Sequence, residues 1–371
     1  MNKTVKLIAA AIVISSVSCS QGPSDEWLDA EPVNFNDSLR PQGISEQGVE
    51  LNGFSLQGFS LQGDELKGFT FASFENANGA VAEVTLNGTV FQGTDAVTGP
   101  ISGAGFIGAR LTAVRVDNTP LTEIRIEDVV AYNVAPPQGS GDPEITLYEI
   151  SALDTQTGTR VNPCGERNGL PVLAVPVSGW WKYASGTPQG GDYNADSTLF
   201  TLSCRSGVIA KCVFFGYKPW KTIQECNGTT CKTLSMQPFH QACTRMMRND
   251  RCGNGNSHTV NGTEINLYDK HGIQLDESTT IPLEAEWGID GATCVKHHRW
   301  PTHDGQEVIA AAQADMDANC SHIDEGQAQA TCGTQYSTFN TAFGFSTPLA
   351  QRALLRNDSQ PPPSNGGTGG N

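Results

Sequence analysis

The chain predicts a mainly β fold with a few short helices, an α+β class rich in disulfides, with a glycine-punctuated pentapeptide-like repeat segment on its N-terminal side. Three observations predict it. The 371 residues include 40 glycines and 20 prolines with 8% aromatics, a composition of turns and strands more than of long helices. From Ile124 onward apolar residues recur with a period close to two. Ten of the eleven cysteines lie from Cys164 onward, an even number able to pair completely.

The first segment, 1–18, reads as an export signal: Lys3 and Lys6 form a basic head, Leu7 to Ile14 is apolar, and Ser15 to Ser18 are mostly small. Cys19 follows at a position suited to lipidation. Ser16 stands where a lipidating enzyme prefers an aliphatic residue, and plain secretory cleavage is the alternative. Loss of the signal moves the formal charge from −16 to −18. So acidic a chain repels phosphate backbones and anionic lipid heads, which argues against nucleic acid and leaves the lipid on Cys19 as the route to a membrane. The tether, 19–47, is acidic and poor in core formers.

Residues 48–95 carry a five-residue rhythm, with Leu56, Leu61, Leu66 and Phe71 in the third position of successive blocks and Phe54, Phe59, Asp64 and Phe69 in the first. This period fits neither a flat strand nor a helix. It fits a chain making a quarter turn per block around a square coil, or a glycine-punctuated sheet edge with coincidental spacing.

The body, 96–345, reads as a disulfide-rich, β-rich domain. Residues 144–150, 170–177, 199–204 and 208–217 have strand character, and Arg205-Ser206-Gly207 turns the last two into a hairpin. Helices are expected over 238–249, where Pro238 precedes Phe239, Ala242, Cys243, Met246 and Met247 on one side, and over 307–318. A short strand is expected over 264–268. The tail, 356–371, is rich in Pro, Gly and Asn and is expected to be disordered.

Disulfide bonding is the expected use of Cys164, Cys204, Cys212, Cys226, Cys231, Cys243, Cys252, Cys294, Cys320 and Cys332. One pair is defined locally: Cys226 and Cys231 flank Asn227-Gly228-Thr229-Thr230, a turn able to bring them together. Cys243 pairs either with Cys252 or at longer range. The competing metal candidates are His297, His298 and His303 for a mixed site, and Asp250, Asn254 and Asn256 for a calcium loop. For nucleophilic catalysis the candidates are Ser257, His258 and Asp269, although no complete hydrolase motif occurs in the chain; the favoured alternative is that Ser257 and Thr259 hold loop backbone and His258 is a structural partner for Asp269.

The run from Gln241 through Cys243-Thr244-Arg245 to Asp250-Arg251-Cys252-Gly253-Asn254-Gly255, with Ser257-His258-Thr259 and Tyr268-Asp269, resembles the signature of the ADYC-domain family. Gly216-Tyr217-Lys218-Pro219-Trp220 and Cys294 with His297, Arg299 and Trp300 are also similar to it. The family's Ala-Asp-Tyr-Cys string aligns with Asn249-Asp250-Arg251-Cys252, which keeps Asp and Cys and replaces Ala and Tyr. If the family's tyrosine packs on the core, Arg251 is expected to lay its stem along the domain and its charge in water. The resemblance implies an exported, cystine-rich bacterial module and brings no catalytic residues with it.

The expected function is a cell-envelope lipoprotein, at the outer membrane or cell surface, whose disulfide-stabilised domain binds a surface protein or glycan or serves structurally. Trp180, Trp181, Tyr183, Tyr193, Tyr217 and Trp220 are candidate aromatic platforms, the alternative being that most are core residues, and Gly190-Gly191 beside Tyr193 makes that region the better candidate for exposed contact. The alternative is a secreted hydrolase with a Ser/His/Asp or histidine-centred site. No cofactor is called for, apart from the calcium candidate.

Overall fold

The computed structural model describes residues 49–51, 66–132, 144–153, 158–167, 169–182, 186–259, 263–274, 281–300, 305–320, 332, 348 and 353–361. Residues 1–48 with Cys19, the repeat blocks of 54–63, Tyr183 and His303 lie outside them.

Two β assemblies flank a pair of helices. In the first, Leu66–Thr70, Arg110–Arg115, Pro120–Ala131, Thr146–Leu153, Ala174–Ser178 and Leu199–Cys204 are hydrogen-bonded antiparallel in a closed ring, a six-stranded barrel. Closure is possible because residues alternate along each strand between the interior and the outer wall. Phe200, Leu202 and Cys204 point into the same core as Phe69, Ile124, Ile126 and Tyr148. Val175 and Val177 face outward instead. A three-stranded sheet, Ala82–Asn87, Val90–Asp95 and Gly99–Ser102, adds Phe91 to that core, and the 3-10 turn Gly103–Phe106 adds Phe106. The Phe91 ring centre lies 5.0 Å from Phe200 and 5.7 Å from Phe106. Each such side chain contributes about 1.5–3 kcal/mol of burial.

The five-residue rhythm therefore does not fold as quarter turns over 66–95. Phe69, paired with Phe200 of a distant strand, gains more burial there than one coil could supply alone.

The second assembly is a five-stranded antiparallel sheet in the order Val49–Leu51, Thr263–Asp269, Leu355–Ser359, Leu283–Gly288, Gly291–Val295. Its third strand corrects the expectation for the tail. Leu355–Ser359 is wholly buried between two neighbours, and its polar residues are matched there: Arg356 by Glu286, Asn357 by Trp287 Nε1 at 2.7 Å, and Asp358 by Tyr268 Oη at 3.3 Å.

Helix α1, Val208–Phe214, replaces the strand expected at 208–217. All seven residues are buried, so the apolar run carries no polar face from which a period could be read. The helical spacing shows in the partners: Val208 and Cys212 join the core of the second sheet, while Ile209, Ala210, Val213 and Phe214 pack on the outer barrel wall. Helix α2, Gln237–Arg248, starts with Pro238 in its first turn and ends at Asn249 in the left-handed region at φ 55°. The Asn249 N–H returns to the carbonyls of Arg245 and Met246, and asparagine tolerates that conformation better than most residues. Helix α3 spans Gly305–Asn319.

Five disulfides join these parts: Cys164–Cys204, Cys212–Cys243, Cys226–Cys231, Cys252–Cys320 and Cys294–Cys332. Cys243 thus bonds to α1 and not to Cys252. Its side chain faces α1 within the core, whereas Cys252 lies past the helix end, toward α3.

Candidate functional site

The residues singled out in the sequence converge on the loop that follows α2. Asp250 is fully buried and organises the loop: its Oδ1 accepts the Asn254 N–H at 3.1 Å, and its Oδ2 accepts the Gly255 N–H at 3.0 Å and the Arg245 guanidinium. With both oxygens so engaged, Asp250 holds the loop backbone and the Arg245 side chain. Arg245 also reaches Asp192 and the carbonyls of Gly190 and Ile289. Gly191, at φ 74°, lets the chain pass close to it, because a Cβ there would lie 2.6 Å from Arg245 Nη1. Gly190 and Gly191 are consequently buried and not an exposed contact.

Arg251 corrects a second expectation. It is fully buried, with its charge turned inward. Nε donates to Asn249 Oδ1 at 3.0 Å, Nη2 to the His297 carbonyl at 3.2 Å, and Nη1 to His298 Nδ1 at 2.6 Å. Guanidinium has only donors, so His298 accepts at Nδ1 and donates from Nε2 to Gln313 Oε1 at 3.1 Å. The His297 ring meets the Ser359 carbonyl at 3.1 Å. The two imidazoles are thus occupied with different partners, and no group of three or more His, Cys, Asp or Glu able to hold a metal occurs among the described residues.

Behind Arg251 lies Glu284, buried with Arg299. Its Oε2 accepts Arg299 Nε at 2.9 Å and Asn357 Nδ2 at 2.5 Å, and its Oε1 faces Arg251 at 3.8 Å. Burial alone would push the Glu284 carboxyl up. Arg299 and Arg251 outweigh it and leave the group below its usual value.

Ser257, His258 and Asp269 go to three different places. The Ser257 hydroxyl donates to the Arg248 carbonyl at 3.1 Å. His258 meets Asp315 Oδ2 at 3.0 Å, and Asp315 Oδ1 accepts from the side-chain amides of Asn254, Asn256 and Asn319. Burial raises the Asp315 carboxyl, yet these hydrogen bonds win and hold it below the ordinary range. Asp269 accepts the Tyr217 hydroxyl at 3.0 Å and the backbone N–H groups of His271 and Gln274, closing the turn after its strand. No triad forms, because each side chain is bonded to a different segment of the chain. Ser257→Ala is expected to cost about 0.5–1.5 kcal/mol, the net worth of one hydrogen bond, as a small shift of the urea midpoint.

The sequence marks Arg245 and Arg299 only through the family resemblance and singles out neither Glu284 nor Asp315. Glu284 and Glu286 alternate with Leu283, Ala285 and Trp287, which reads as a solvent face. Both glutamates are nevertheless buried, against Arg299 and Arg356. Among the aromatic platforms, Trp181 and Tyr217 are core residues, while Trp180, Tyr193 and Trp220 are half-buried.

The loop, its two arginines and its cysteine thus form one buried, disulfide-pinned unit, and the sequence model of the ADYC domain matches residues 103–301, more than half of the chain. The protein belongs to the ADYC domain family. Neither a curated protein nor a solved structure shows a match to the chain. Within this ADYC protein the four residues set against the family string have separate structural tasks: Asn249 caps α2, Asp250 holds the loop, Arg251 crosses to the second sheet, and Cys252 bonds to α3 through Cys320. The matched residues stop short of α3 and of Leu355–Ser359, both of which complete this centre.

Proposed function

We propose that this ADYC-domain protein is an exported lipoprotein of the cell envelope, anchored through Cys19, whose disulfide-locked body is a recognition or structural module for a surface protein or glycan. The observation that supports it is the cysteine count. Ten cysteines pair as five bridges, which form in an oxidising space, and the eleventh is Cys19, at the end of an apolar run with a basic head. The polar residues best placed for chemistry hold backbone instead, which favours a rigid module over a hydrolase. No described helix is long and apolar enough to cross a membrane; in this reading the lipid on Cys19 is the anchor.

Intact mass of protein taken from its native envelope tests this reading. The expected result is a chain starting at Cys19, carrying acyl mass, and gaining the hydrogens of five bridges on reduction. Cys19→Ala is expected to leave the membrane fraction. A non-acylated mature chain, or one with several free thiols, would overturn the proposal.

A further inference from the structure

Of the five bridges, Cys226–Cys231 stands apart in its surroundings. It joins facing residues of the hairpin Thr222–Asn227 and Thr230–Ser235, next to a two-residue turn with Gly228 at φ 61°. Both of its cysteines are exposed. Each of the other four bridges has at least one cysteine within the buried interior: Cys204, Cys212 and Cys243, Cys320, or Cys294 and Cys332.

The hairpin sorts its residues by the two-residue period of a strand. One face holds Thr222, Gln224 and Cys226 opposite Ser235, Thr233 and Cys231, all exposed and uncharged, with Gln224 Nε2 bonded to Thr233 Oγ1 at 2.7 Å. The other face carries Leu234 and Glu225, both buried, with Glu225 bound to Lys270 and Lys232. The anchor to the body is on one side and the sulfur pair on the other. Opening the bridge disturbs none of the anchoring contacts.

The bridge also constrains the unfolded chain least. It spans a sequence separation of 5, against 31 to 68 for the other four, so its loss removes the smallest share of loop entropy. The turn and the cross-strand ladder keep the hairpin in register without it.

We propose that Cys226–Cys231 is a thiol–disulfide exchange site, open to external thiols while the other four bridges stay closed. An incoming thiolate attacks Sγ of one cysteine. A bond forms between the two sulfurs as the Cys226–Cys231 bond breaks, and the electron pair leaves on the second Sγ, which takes a proton from water. With a monothiol the product is a mixed disulfide. With a dithiol, the second thiol attacks the mixed disulfide, the reagent departs as its own disulfide, and both cysteines are left as thiols, a two-electron reduction. The partner class is therefore a small thiol or a dithiol protein.

The test uses the full chain, treated with graded dithiothreitol, alkylated and mapped by mass spectrometry. Cys226 and Cys231 are expected to be labelled about tenfold or more sooner than any other cysteine, while the chain is still folded and the other four bridges are intact. Simultaneous labelling of all bridges, or labelling only on unfolding, overturns the proposal. As a second arm, Cys231→Ser leaves one thiol at Cys226, which is expected to capture glutathione from its disulfide in the folded protein. A folded variant that gains no glutathione mass overturns it equally. Neither arm involves Cys19, so failure here and failure of lipid anchoring are separate results.

Discussion

Glu284→Gln is expected to remove about 3–5 kcal/mol of stability, seen as a lower urea midpoint at unchanged slope. The substitution keeps the side-chain shape and deletes the charge that two buried guanidinium groups share: Arg299, whose Nε is 2.9 Å from Glu284, and Arg251, at 3.8 Å. Most of the loss comes from removing that shared counter-charge inside the core and not from the intrinsic worth of the pair. Adding Arg299→Met to the variant is therefore expected to recover part of it. The same centre has a pH signature. Burial acts to raise the Glu284 carboxyl, but Arg299 and Arg251 bring it below its usual 4.5. A depressed carboxylate stabilises the fold fully above that usual value and loses its contribution as pH falls through the lower, folded-state value. Wild-type protein should lose stability below about pH 4.5 more steeply than Glu284→Gln, when both are followed by urea unfolding across that window. Equal acid slopes would show that Glu284 is not the group responsible.

What the sequence disclosed and what it hid divide along the range of the interactions. Helix α2 was readable because Pro238, its apolar stripe and the residues at its end are all within one segment. Cys226 with Cys231 was readable for the same reason. The barrel was not: its ring depends on pairings such as Leu199 with Thr70 and Tyr148 with Ala174, which no local pattern announces. Helix α1 was mistaken for a strand because both of its sides are covered, one by the barrel wall and one by α2 and the second sheet. Leu355–Ser359 looked like the start of a tail because Arg356, Asn357 and Asp358 are polar. Their burial makes sense only once Glu286, Trp287 and Tyr268 are placed beside them. Arg251 belongs to the same class. A lone arginine in a loop reads as a surface charge until His298 and Glu284 are brought to it from another strand region. At the candidate site the sequence located the loop, and Ser257, His258 and Asp250 spend their polar atoms on the chain itself, with Asp315 and not Asp269 as the partner of His258.

Removing the Cys252–Cys320 bridge, as Cys252→Ala with Cys320→Ala, is expected to cost about 2–5 kcal/mol, with the upper part of that range favoured by its span. Its sequence separation of 68 is the largest of the five, and the entropy that a cross-link removes from the unfolded chain grows with the loop it closes. The folded state adds a local component. The bridge fixes the end of α3 to the loop after α2, and Asp315, in the last part of that helix, collects His258, Asn254, Asn256 and Asn319 there. Without the bridge α3 is held by those polar contacts, by His298 on Gln313 and by Met316 in the core, with its end no longer pinned. Hydrogen exchange in the helix, 305–319, should therefore accelerate before exchange in the barrel, where the strands are tied by their own ladder and by Cys164–Cys204. The same double substitution at Cys226 and Cys231 supplies the comparison, because it closes the shortest loop and lies on the exposed face of its hairpin. Its cost should be clearly smaller and should leave exchange in α3 unaltered. If the two losses were equal, or if the barrel opened together with α3, loop length and local anchoring would both be the wrong account of how these bridges stabilise the protein.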